Sequence, residues 1–165
     1  MSYQIDQSGK IEQTNKQTIV ALANGTKKSV RISAVEKQRL IKTMVELDYP
    51  QKNYTHKIFA AMIYILLQKS KVESVLIDTE YSGHDASIKE ILIQLFQKSQ
   101  KSCPEINFGY VGKHSNAHHL GISIFRNKQK ADIIVGAKDI LTILYDKLKK
   151  PKEKGWRPRS SRGNP

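Results

Sequence analysis

The sequence predicts an α/β protein in which one mixed sheet joins an antiparallel meander to parallel strands. Three observations carry this. Asn24-Gly25, the strongest short hairpin signal, lies between two β-prone runs, residues 17–23 (QTIVALA) and 28–32 (KSVRI). From residue 73 onward, apolar runs of strand length alternate with stretches of helical spacing, the order expected of strand–helix–strand crossovers. With 39% hydrophobic and 26% charged residues in 165, the chain has enough apolar material for one packed domain.

Each element has its own local cause. Residues 3–12 mix apolar and polar side chains around Ser8-Gly9, and with 17–23 and 28–32 they form the meander. Ser33, with Glu36 three residues on, is a capping box that opens a helix to about residue 47, and Asp48-Tyr49-Pro50 ends it. Residues 54–69 form a second helix, apolar around most of its circumference and therefore buried. Residues 73–79 (ESVLIDT) read as a strand covered on both faces. Ile88, Ile91, Leu92, Leu95 and Phe96 give residues 85–99 an amphipathic helical stripe, and 105–111 (EINFGYV) form the next strand. After the polar turn at 112–115 come a helix from about Asn116, a short strand at 132–135 and a last helix at 138–148. The expected product is a five-stranded sheet with flanking helices and a small carboxyl-terminal strand–helix appendix.

Charge is the most informative bulk property. Lys and Arg number 28 against 15 Asp and Glu, a net charge of +13. That predicts a polyanionic partner, nucleic acid before an acidic membrane surface. Residues 149–165 hold Lys149, Lys150, Lys152, Lys154, Arg157, Arg159 and Arg162 against the single acid Glu153. Three prolines, two glycines and one large apolar group, Trp156, make this segment read as a disordered basic arm or a solubilising terminus. The expected division is a domain over residues 1–148 and a tail over 149–165. The longest uncharged apolar run has ten residues, 58–67, about half of a membrane span. Met1 to Asp6 is polar from the outset, so no secretory signal and no membrane partner are expected. Cys103, the one cysteine, permits no internal disulfide and fits a cytoplasmic setting.

The residues that bear chemistry fall in three places. In Leu76-Ile77-Asp78-Thr79-Glu80 side chains alternate, so Asp78 and Glu80 project to one face near the end of the central strand. Two carboxylates there are costly unless paired or bound to a cation. If the strand ends at Ile77, both acids fall instead in a solvated loop. Asp6 is an ordinary turn acid unless the first strand lies beside the central one. In that arrangement Asp6, Asp78 and Glu80 converge as hard oxygen ligands for Mg²⁺ or Mn²⁺. The third place is Lys113-His114-Ser115-Asn116-Ala117-His118-His119. His114 and His118 are four apart, a spacing that sets two imidazoles on one helix face. No Cys or Glu follows at a zinc-like spacing. These are either surface histidines or include one that ligates a metal or handles a proton beside the carboxylates. No Walker phosphate loop and no G-x-G-x-x-G is present, so nucleotide-cofactor chemistry has no support. Ser82-Gly83-His84-Asp85 sets Ser, His and Asp side by side, but a triad is defined in space and not by adjacency.

Together these segments resemble the ribonuclease H-like superfamily, which includes ribonuclease H and the Holliday-junction resolvases. Ile5-Asp6-Gln7-Ser8-Gly9 is similar to its first-strand motif, and Ile77-Asp78-Thr79-Glu80 to its fourth-strand motif. Gly112-Lys113-His114-Ser115 with Ala117-His118-His119 is similar to the loop and helix that close the site. The resemblance implies a two-metal nuclease that hydrolyses phosphodiester bonds in RNA, RNA–DNA hybrid or branched DNA. Asp6, Asp78, Glu80 and His118 would be catalytic and metal-binding, with Lys113 and His114 on the scissile phosphate. Two departures mark this chain. Residues 54–71 carry no acid where ribonuclease H has one on its first long helix, and His118 or His119 stands where the last helix carries an acid. Some resolvase-like branches use a histidine there, so the resemblance is to that branch. The alternative expectation is a non-catalytic nucleic-acid-binding protein with the same fold.

Overall fold

The computed structural model describes residues 2–145. The tail at 149–165, with its seven cations and Trp156, and the expected end of the last helix at 148 lie outside the described residues. The element order is β1 (Tyr3–Ser8), β2 (Thr18–Ala23), β3 (Lys28–Ile32), α1 (Ala34–Leu47), α2 (Tyr54–Leu67), β4 (Ser74–Asp78), α3 (Asp85–Lys98), β5 (Glu105–Gly109), α4 (Asn116–Phe125), β6 (Ile133–Val135) and α5 (Ala137–Leu144).

All six strands share one mixed sheet in the order β5-β4-β1-β2-β3-β6. The meander forms as the hairpin signal requires. β1 pairs antiparallel with β2 and β2 with β3. Asn24 (φ 77°) and Gly25 (φ 141°) supply the left-handed backbone of the turn. β4 joins the other edge of β1 in parallel, with Ile5 opposite Ile77, and β5 adds parallel to β4.

One expectation is corrected. The sheet has six strands and not five, because residues 133–135 are not a separate appendix. They pair in parallel with β3, Val30 opposite Ile133 and Ile32 opposite Val135. Without them β3 would present an open edge of unpaired backbone groups. Glu36 of α1 secures the same addition, accepting a hydrogen bond (2.8 Å) from the Ala137 N–H at the start of α5. Ser33 does cap α1 by accepting from the Glu36 N–H (3.2 Å). The Glu36 carboxylate, however, serves α5 and Arg39.

Alternation along β2 divides the interior. Val20 and Leu22 face a large core built on α2, where residues 58–67 are all buried. Ile19 and Ala21 face the other way, into a small cluster with Leu120 and Ile124 of α4. α4 therefore rests on β1 and β2 on the opposite face from the main core. A buried lysine pins the β1–β2 connection. Lys37 is fully enclosed, and its ammonium donates to the carbonyls of Lys10 (3.0 Å) and Gln13 (2.9 Å) and to Thr18 Oγ1 (2.9 Å). All three donor protons are satisfied, the condition for burying such a group.

Candidate functional site

The register of β1 against β4 assembles the site. With Ile5 level with Ile77 in the main core, Asp6 and Asp78 stand level on the opposite face of neighbouring strands. β4 ends at Asp78, one residue beyond the early ending considered above, and Glu80 follows in the irregular segment after it. One oxygen from each of Asp6, Asp78 and Glu80 lies within 4.8 Å of the other two. No other His, Cys, Asp or Glu joins this set among the described residues.

Burial and mutual repulsion set the charge of the cluster. Asp6 is only 5% exposed, and burial raises its pKa. The bond to His118 opposes that rise, and the charge of Asp78 adds to it. Burial and the neighbouring carboxylates of Asp78 and Asp6 push Glu80 up to about 8. Without a cation, then, the three do not all ionise at neutral pH. Asp78 Oδ1 accepts from the Val111 N–H (2.8 Å), which ties it to the segment after β5. This donor set suits a hard divalent cation: all oxygens, convergent, and too close together to carry three charges unaided.

α4 brings the histidine. Ser115 caps it, accepting from the His118 N–H (3.0 Å) and donating to the Gly112 carbonyl (2.9 Å). His118 Nδ1 then sits 2.8 Å from Asp6 Oδ2 across a sequence separation of 112 residues. Its ring reaches an acid of the cluster and is not itself in the convergent set. The approach depends on Gly121, one turn further along α4. A Cβ there would lie 2.8 Å from Ser8 Oγ and 3.7 Å from the Ala21 Cβ.

The acids and His118 open into a cleft of about 510 Å³ that is also lined by Gln7, Tyr110, Gly112 and Lys113. Lys113 thus lines the cleft and is exposed. His114 is exposed and is not part of the lining, and His119 is exposed with its ring 6.2 Å from that of His118. Two further residues of the cleft carry no chemical signal in the sequence: Gln7, whose amide bonds the Tyr81 hydroxyl (3.0 Å), and Tyr110. Gln7 looks like one more polar residue of a strand. Tyr110 looks like a strand residue until β5 is seen to end at Gly109.

The chain matches no family model, no curated protein and no solved structure.

Proposed function

We propose that this chain is a divalent-metal-dependent nuclease of the ribonuclease H-like type, with Mg²⁺ or Mn²⁺ on Asp6, Asp78 and Glu80. The observation that carries the reading is the convergence of those three carboxylates within 4.8 Å at the carboxyl edge of parallel strands β1 and β4, the place where sheets of this kind gather ligands. Element order supports it too: a meander, then parallel strands, then a helix that closes the site. When bound, divalent ions there supply Lewis acidity to a water nucleophile and to the leaving oxygen of a phosphodiester.

The chain's own residues have separable roles. Asp6, Asp78 and Glu80 hold the ions and keep the cleft anionic enough to require them. His118, oriented by Asp6 through Nδ1, is placed to move a proton at its other ring nitrogen. Lys113 at the rim offsets the charge of an incoming phosphate. The net charge of +13 draws the polyanion in from a distance.

The test is cleavage of a panel of RNA, hybrid and branched DNA substrates in Mg²⁺, Mn²⁺ or EDTA. Wild type is expected to cut only with metal. Asp6→Asn and Glu80→Gln should lose cleavage and keep or increase affinity, since neither adds charge facing phosphate and Asp6→Asn removes a negative one. Equal activity of wild type and both variants would refute the assignment. Binding without cleavage in any metal would leave the non-catalytic binding protein as the correct description.

A further inference from the structure

Tyr110 is an aromatic ring that folding does not account for. It is 85% exposed, although it lines the acidic cleft. Among the described residues its hydroxyl makes no hydrogen bond and its ring contacts no other ring. Its backbone is nevertheless flanked by a hydrogen bond on each side. On one side the Gly109 carbonyl accepts from the Thr79 N–H (2.9 Å), and on the other the Val111 N–H donates to Asp78 Oδ1 (2.8 Å). Both bonds reach the short segment that carries Asp78 and Glu80. The ring leans over Gly112, where an added Cβ would come within 3.1 Å of Cε2 and 3.4 Å of Cζ. Gly112 (φ 92°) has no side chain to displace it, and exposed Lys113 and His114 follow directly.

A bare ring held beside a phosphodiester site offers a π-surface for a nucleobase, with its hydroxyl as the only polar alternative. A base can lie on it only when unstacked from its neighbour, which a continuous duplex resists. The geometry points to Tyr110 as a stacking platform for an unpaired base next to the bound phosphodiester, so that the site favours single-stranded or branched nucleic acid over uninterrupted duplex. This rests on the nuclease reading only for the meaning of the neighbouring carboxylates, because stacking can be measured without catalysis.

The test is fluorescence anisotropy in EDTA with labelled single-stranded, branched and fully paired oligonucleotides. Tyr110→Ala is expected to weaken single-strand and branch binding by about tenfold, the scale of one base–aromatic stack, and duplex binding by less than twofold. Tyr110→Phe should keep the wild-type preference, because stacking uses the ring and not the hydroxyl. In a Trp156→Phe background, Tyr110→Trp should bind single strands at least as well and show quenched emission on binding. An abasic site scanned along the oligonucleotide should erase the difference between wild type and Tyr110→Ala at one position. Equal losses on all three ligands, no loss on any, or a Tyr110→Phe variant as weak as Tyr110→Ala would each overturn the inference. The two readings fail separately. Tyr110-dependent binding without metal-dependent cleavage would sink the nuclease and leave the platform. Metal-dependent cleavage with a Tyr110→Ala variant that keeps the wild-type preference would do the reverse.

Discussion

Glu80 makes metal-free stability depend on pH, and the sign follows from where its proton sits. Its ordinary value of 4.5 is pushed up to about 8 in the folded chain. Between those values the native state holds a proton that the unfolded state has released. The stabilising contribution is therefore full below pH 4.5 and is lost as pH rises through 8. In EDTA the melting temperature is expected to fall across that window, and Glu80→Gln, which cannot ionise, should flatten the decline. Adding Mg²⁺ should raise the melting temperature more at pH 8 than at pH 5, since the cation replaces the proton. A flat profile for wild type would mean that neither burial nor the neighbouring carboxylates hold a proton on Glu80. His118 belongs at the same scale. His118→Ala should slow cleavage far more than it weakens binding, measured as rate and affinity on the same substrate. An unchanged rate would remove the proton-handling role.

At the scale of elements, α4 can approach the sheet because small groups meet there. Ser8 Oγ is buried without a hydrogen-bond partner among the described residues, and it is the atom nearest to a Cβ built on Gly121. Ser8→Ala removes an unpartnered polar atom and should stabilise the fold by about 1 kcal/mol. In that background Gly121→Ala meets only ordinary contacts and should gain about 1 kcal/mol of helix propensity. Gly121→Val in the wild-type background forces α4 outward, costing about 1–3 kcal/mol, and should separate His118 from Asp6. Thermal melts and cleavage rates of the three variants check this. Gly121 was visible in the sequence only as a glycine in an apolar helix, a weak sign of close packing. The meander, α1 to α3 and α4 were legible because each is announced locally, by Asn24-Gly25, by Ser33 as a cap, by the polar turn at 112–115 and by apolar spacing. The acids on β1 and β4 were legible as candidates, and their convergence waited on a strand pairing that no local pattern encodes. β6 as a sheet strand was illegible for the same reason: three residues announce their length and not their partner. The burial of Lys37 is illegible in the sequence, since nothing near it marks the carbonyls it serves.

For the whole molecule, charge is divided between the domain and the tail. Removing residues 149–165 deletes seven cations and one acid, and should weaken binding to every sequence by a similar factor. If about four of the seven touch duplex phosphates, the slope of log K against log salt should shrink by roughly 3–4 units. A salt titration of full-length and truncated chains decides it. Identical slopes would assign binding to the domain alone. The two faces of the sheet are also unequal. The main core is a broad cluster centred on α2, whereas α4 is held by Ile19, Ala21, Leu120 and Ile124 with Phe125 and Ala131 beside them. At about 1.5–3 kcal/mol per large buried side chain, that small cluster resists opening far less than the core does. α4 should therefore detach as a unit while the remaining strands and helices stay folded. Backbone amides of residues 117–125 should exchange hydrogen with solvent sooner than those of 58–67. Heating should then silence metal-dependent cleavage some degrees before the main unfolding transition, because the helix that leaves first carries His118.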